Sequence, residues 1–156
     1  MSIDPTVSRL EAAGVAYAPQ IARAAEANHL DPGLLAAVAA QETGGPGANA
    51  GRNVVGDGGH GHGLFQIDDR WHDFARSAAA MDPAANASYA SSLLSGLLHR
   101  YGSVRQALSA YNAGSPNATG TRTRWADGSD LGYADSVLRH YAAIEGGGTA
   151  AATPNT

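Results

Sequence analysis

Cysteine is absent from the 156 residues, and so is lysine. The first absence excludes disulfides, a thiolate nucleophile and any zinc site built on cysteine. The second excludes a phosphate loop, because no Gly-Lys-Ser/Thr follows the glycine-rich run. Charge is scarce as well, at 15% of residues, and all ten basic residues are arginine. With a net charge of −4 and a pI near 5.8, the chain lacks the basic face that a dedicated nucleic-acid binder needs. No apolar run approaches the roughly 18 residues of a membrane span. Met1-Ser2-Ile3-Asp4-Pro5 shows neither a basic n-region nor an apolar h-region, so the expectation is a chain made in the cytoplasm without a Sec leader.

What is present in quantity is small and apolar: 44% hydrophobic residues, 33 alanines and 20 glycines. That suffices for a buried core in one domain, expected over residues 1–145, with residues 146–156 as a flexible Gly-, Ala- and Thr-rich tail. Asp31-Pro32 and Asp82-Pro83 are helix-start signals, an N-cap followed by proline in the first turn. They predict helices from Gly33 to about Glu42 and from Pro83 to about Tyr101. An earlier apolar stripe, Ile21, Ala24, Ala25 and Leu30, follows Pro19. Two later helices are predicted, one carrying Val104, Ala107, Leu108 and Tyr111, the other running from about Gly132 to Ile144. Residues 44–63, with nine glycines, and residues 114–130 read as irregular stretches.

Glu42, one of only four glutamates, shares a helix face with Leu35, Val38 and Ala39. At the end of an apolar stripe the neutral acid is favoured, which a general acid near neutral pH requires. A glutamate fraying into solvent at a helix end is the plainer alternative. The glycine segment then offers two more carboxyls. If Leu64 to Asp68 is extended, Phe65 and Ile67 anchor one face in the core, and Gln66 and Asp68 face a cleft. The glycines permit a reversal that brings Asp57 near Asp68. One carboxyl at an apolar helix end and two on a loop suit glycosidic hydrolysis, which needs an acid for the leaving oxygen and a carboxylate for the water or the cation. His60 and His62 with Asp57 or Asp69 make only a weak metal site for want of a third fixed ligand, and no metal or organic cofactor is expected.

The ordered pieces carry a resemblance. They are Leu34-Leu35-Ala36-Ala37-Val38 with Gln41-Glu42-Thr43, Gly56-Asp57, Gly61-His62-Gly63-Leu64-Phe65-Gln66-Ile67-Asp68 with Arg70-Trp71-His72, Ser109-Ala110-Tyr111-Asn112-Ala113-Gly114, and Gly132-Tyr133-Ala134-Asp135-Ser136-Val137. In that order, over about residues 28–145, the chain resembles goose-type lysozymes and the related soluble lytic transglycosylases. The resemblance implies a mainly α, lysozyme-like α+β fold in which a glycine-rich loop or short hairpin walls a substrate cleft. It implies Glu42 as general acid and Asp57 with Asp68 as the carboxylates that position water. Gln66, His72, Tyr111, Asn112 and Tyr133 would bind substrate, Tyr133 as a cleft tyrosine near the catalytic carboxyl. Read by residue type alone, Tyr111 and Tyr133 are equally core residues, Asn112 a helix-end cap and His72 ordinary surface. Phe65 stands where the related proteins usually have Met, and Ser115-Pro116 follows where a small-residue turn is more usual.

The implied activity is a muramidase that cleaves the β-1,4 bond between N-acetylmuramic acid and N-acetylglucosamine with inversion. The transglycosylases generally have the Glu without the Asp pair, and let the sugar's 6-hydroxyl attack to give a 1,6-anhydro product. That reaction is the nearer alternative, and a catalytically silent glycan-binding or virion domain the farther one. The expected partner is peptidoglycan, reached after holin-dependent release, as part of a virion or through a secretion machine.

Overall fold

The structure is a computed structural model that describes residues 4–146. Six α-helices dominate: α1 (Asp4–Ala12), α2 (Ala18–Ala27), α3 (Pro32–Ala39), α4 (Pro83–Tyr101), α5 (Val104–Ala113) and α6 (Tyr133–Glu145). Two small antiparallel sheets complete an α-rich, lysozyme-like fold. Both start signals act as their chemistry dictates. The Asp31 carboxylate accepts from the Gly33 amide, and the Asp82 carboxylate from the Ala85 amide, each satisfying a donor the helix cannot use itself. Gly102 and Gly114, both left-handed, close α4 and α5.

Helix α3 is the centre of the molecule. Gly33 to Ala39 are buried all round, not on one stripe, because α2 packs on one side and α6 on another. Gly33 and the alanines allow close neighbours, while Leu34, Leu35 and Val38 fill the core around the helix. Beyond Ala39 the helix widens into a π turn, Ala40–Gly44, closed by the Gly45 amide on the Ala40 carbonyl. The helix expected to reach Glu42 is therefore α-helical only to Ala39, and Glu42 lies within the widened turn.

Strands β1 (Val55–Gly56), β2 (Gly61–His62) and β3 (Ile67–Asp68) form one sheet, with Gly56 opposite Gly61 and Gly61 opposite Asp68. This corrects the extended reading of Leu64 to Asp68. Residues 63–66 form a turn, Leu64 and Phe65 are both buried, and Gln66 takes a left-handed backbone with φ 51°. Gly63 makes the turn possible: at φ 81° a Cβ would lie 2.4 Å from the Asn86 amide nitrogen. Asn86, fully buried on α4, accepts from the Phe65 amide and donates to the His62 and Ala80 carbonyls. The turn is thus spliced to a helix instead of lying on a strand.

Two further features differ from expectation. Helix α1 had no signal beyond Val7 and Leu10, too few apolar residues for a stripe. The stretch 114–130, read as irregular, contains β4 (Thr123–Arg124), which pairs with β5 (Asp130–Leu131), whereas β1 and β2 are the short hairpin expected on the glycine-rich stretch. The 146–156 tail lies, after Gly146, outside the described residues.

Candidate active site

A cleft of about 860 Å³ runs between the small sheet and the helices. Asp57, Gln66, Asp68, Arg70, Trp71 and His72 form one wall, and Tyr111 to Gly114 with Thr121 form the other. Glu42 lines the same space.

The π turn positions Glu42. Thr43 Oγ1 donates to the Ala39 and Leu64 carbonyls, at 3.1 and 3.0 Å, and accepts from the Arg52 amide at 2.7 Å. It fixes the widened turn to both the preceding helix and the sheet-side turn, and a π bulge of this kind re-aims a side chain that a regular helix would direct elsewhere. Burial pushes the Glu42 carboxyl up to about 7, opposed in part by a hydrogen bond from the Tyr133 hydroxyl to Oε2 at 2.6 Å. Tyr133 is fully buried at the start of α6, and its hydroxyl is directed at the acid, not at open cleft. Burial and Glu42 together hold the Tyr133 hydroxyl well above the ordinary tyrosine value, so it stays a donor.

Asp57 and Asp68 come together through Arg70. One Arg70 terminal nitrogen, Nη2, donates to Asp57 Oδ2 and to Asp68 Oδ2, both at 2.7 Å, while its Nε and its backbone amide reach Asp68 Oδ1. These bonds hold the Asp68 carboxyl down to about 2. The Asp68 side chain is 25% exposed and both its oxygens are engaged; Asp57, 63% exposed, gives Arg70 one oxygen only. Asp57 also sits at φ 53°, a left-handed conformation that aspartate tolerates better than most residues.

The remaining expected site residues vary in freedom. Gln66 lines the cleft, but its amide donates to the Val54 and Gly63 carbonyls at 2.9 Å. Its Oε1 fills the space beside Gly61, where a Cβ would lie only 2.3 Å from it. Gln66 therefore braces the sheet from within the cleft wall. His72 is bonded through Nδ1 to the Tyr89 hydroxyl at 3.0 Å, and Tyr89 stacks on Phe74. Tyr111 donates to the Phe65 carbonyl at 3.2 Å. Asn112 accepts from the Thr121 amide and donates to the Thr121 hydroxyl, which ties the end of α5 to the loop that follows.

Arg70, Thr43 and Asn86 were not identified from the sequence. Arg70 had one available signal, a lone cation two residues after a carboxylate in a chain with few cations; the other two had none. Of possible ligands for a metal, His60, Asp68 and Asp69 bring donor atoms within 4.8 Å of one another. Each is already paired: Asp69 accepts from His60 at 2.8 Å and from His62 at 2.9 Å, and Asp68 accepts from Arg70. Those two histidine bonds draw the Asp69 carboxyl below its ordinary range.

No curated protein matches the chain. A family model does, over residues 19–128, a span that takes in Glu42, Asp57, Asp68 and Asn112. Its description is the transglycosylase SLT domain, and the chain belongs to that family, a lysozyme-like one that acts on peptidoglycan.

Proposed function

We propose that the protein is a muramidase: it hydrolyses the β-1,4 bond between N-acetylmuramic acid and N-acetylglucosamine in peptidoglycan. Glu42 is the general acid, and Asp57, set by Arg70 and Asp68, is the carboxylate on the water's side. The observation that carries the reading is that Glu42, which burial keeps protonated up to about pH 7, shares one cleft with Asp57 and Asp68, both bonded to Arg70.

The chemistry follows from the contacts. With Tyr133 donating to Oε2, Oε1 is the oxygen that carries the proton to the leaving sugar oxygen. Once the proton has gone, the Tyr133 bond stabilises the carboxylate that remains. Positive charge developing at the anomeric carbon faces the Asp57–Arg70–Asp68 group, in which two anions outweigh one cation. Asp68 is too weak a base to take a proton, so its part is to hold Arg70, while Asp57 keeps an oxygen for water.

One observation favours a second reading. Arg70 engages both aspartates and leaves only one Asp57 oxygen for a water, whereas the sugar's own 6-hydroxyl can pass its proton back to the Glu42 carboxylate that has just protonated the leaving oxygen. That is the lytic transglycosylase reaction, in keeping with the family's description. Mass spectrometry of the muropeptides released from purified peptidoglycan separates the two. Products ending in a reducing N-acetylmuramic acid support hydrolysis. Anhydro products, lighter by one water, overturn it in favour of transglycosylation, and bound glycan without any product leaves a silent binding domain.

A further inference from the structure

We infer that Trp71 is a sugar-stacking platform, a subsite of the cleft that binds the apolar face of an N-acetylated hexose ring; this rests on the glycan reading of the cleft. Trp71 is 80% exposed, the most exposed large apolar side chain among the described residues. It lines the cleft directly after the Asp57–Arg70–Asp68 group. Exposing an indole to water is unfavourable, and a lone surface tryptophan is unremarkable only when nothing is built around it.

Here its backbone is fixed on both sides. The Trp71 and His72 amides both donate to the Asp68 carbonyl, the Arg70 side chain is locked on two carboxylates, and the His72 ring is held by Tyr89. Among the described residues the indole has no ring or cation partner. An aromatic face on a fixed backbone, without a ring or cation partner among the described residues and beside a cleft, suits a flat ligand with C–H groups on one side. A β-linked pyranose is such a ligand, since its axial hydrogens form an apolar face and its hydroxyls and acetamido group lie at the rim.

The chain's only other tryptophan makes the test clean. Trp125 is 2% exposed, and its Nε1 donates to Ser136. Emission that moves on adding a glycan therefore reports Trp71. The full chain is titrated with a soluble oligomer of N-acetylglucosamine, and binding of the same oligomer to Trp71→Ala and Trp71→Phe is measured by calorimetry. The expected result is a saturable blue shift, a Kd raised about ten-fold in Trp71→Ala, and recovery of most of that loss in Trp71→Phe. On solubilised peptidoglycan the Ala variant should raise KM by a similar factor while kcat changes by less than about three-fold. Unshifted emission at saturating oligomer, or a Kd in Trp71→Ala equal to the parent's, overturns the proposal. Products formed without a shift refute the platform and leave the muramidase reading intact. A saturable shift without products supports the platform and refutes that reading.

Discussion

At the scale of single residues, the Glu42–Tyr133 bond sets what the cleft can do. Replacing the acid by its isostere, Glu42→Gln, removes the transferable proton and keeps the shape, so turnover should fall by at least about 100-fold. Near-parental lysis by the folded variant would refute the assignment. Tyr133→Phe tests how the acid is tuned. The hydroxyl stabilises the carboxylate, so its loss lets burial push the Glu42 carboxyl further up. Activity that needs the protonated acid declines as pH rises through about 7 in the parent, and this alkaline limb should move to higher pH in the variant. A pH profile of kcat decides it, and a limb unmoved or moved downward contradicts the coupling. The sequence marks Glu42 as unusual, since an acid just after a long apolar stretch can be read from it, although the π turn that holds Glu42 leaves no periodic signal. Periodicity does not show Tyr133 as the partner, because the bond joins residues 91 apart; only the resemblance places a tyrosine near the acid there.

At the scale of elements, the sheet-side wall depends on Asn86. Three backbone groups, the Phe65 amide and the His62 and Ala80 carbonyls, are bonded to this one buried amide. Asn86→Ala leaves them unsatisfied, at a cost of about 2–4 kcal/mol in urea unfolding. Because β2 and the 63–66 turn carry the wall, activity should fall while helical circular dichroism stays near the parent's. Stability unchanged within about 0.5 kcal/mol would show that the wall holds itself. The helices were legible because their ends are chemical: Asp31-Pro32, Asp82-Pro83, Gly102 and Gly114 each start or stop a backbone pattern locally. The wall was not. Alternation over Leu64 to Asp68 predicted a strand, but a glycine at positive φ and a distant asparagine turned the chain there. Strands of two residues, such as β4 and β5, leave no period to read at all.

Across the whole molecule, two buried groups with opposite preferences bear on the same span of pH. Burial pushes Glu42 up from 4.5 to about 7 and pulls His140 down from 6.5 to about 4. His140 is fully buried, its Nδ1 donating to the Ala48 carbonyl at 2.8 Å, with Trp125 beside its ring. Glu42 binds its proton more tightly folded than unfolded, so its contribution is complete below about 4.5 and is lost as pH rises through about 7. His140 binds its proton less tightly when folded, so its contribution is complete above about 6.5 and is lost as pH falls through about 4. Between about 4.5 and 6.5 the two slopes oppose each other, and stability should be nearly flat. Below that span His140 acts unopposed, and at the lowest pH protonation of Asp68, held down to about 2 by Arg70, adds to the loss. Glu42→Gln removes one of the two slopes. Its unfolding free energy should therefore rise with pH from about 4 to 6.5, where the parent's does not. At pH 8 the variant should exceed the parent by about 3 kcal/mol, with the difference vanishing below about pH 4.5. Urea midpoints taken at intervals from pH 4 to 8 on both proteins provide the comparison, and two parallel curves would show that Glu42 is not desolvated as the packing implies.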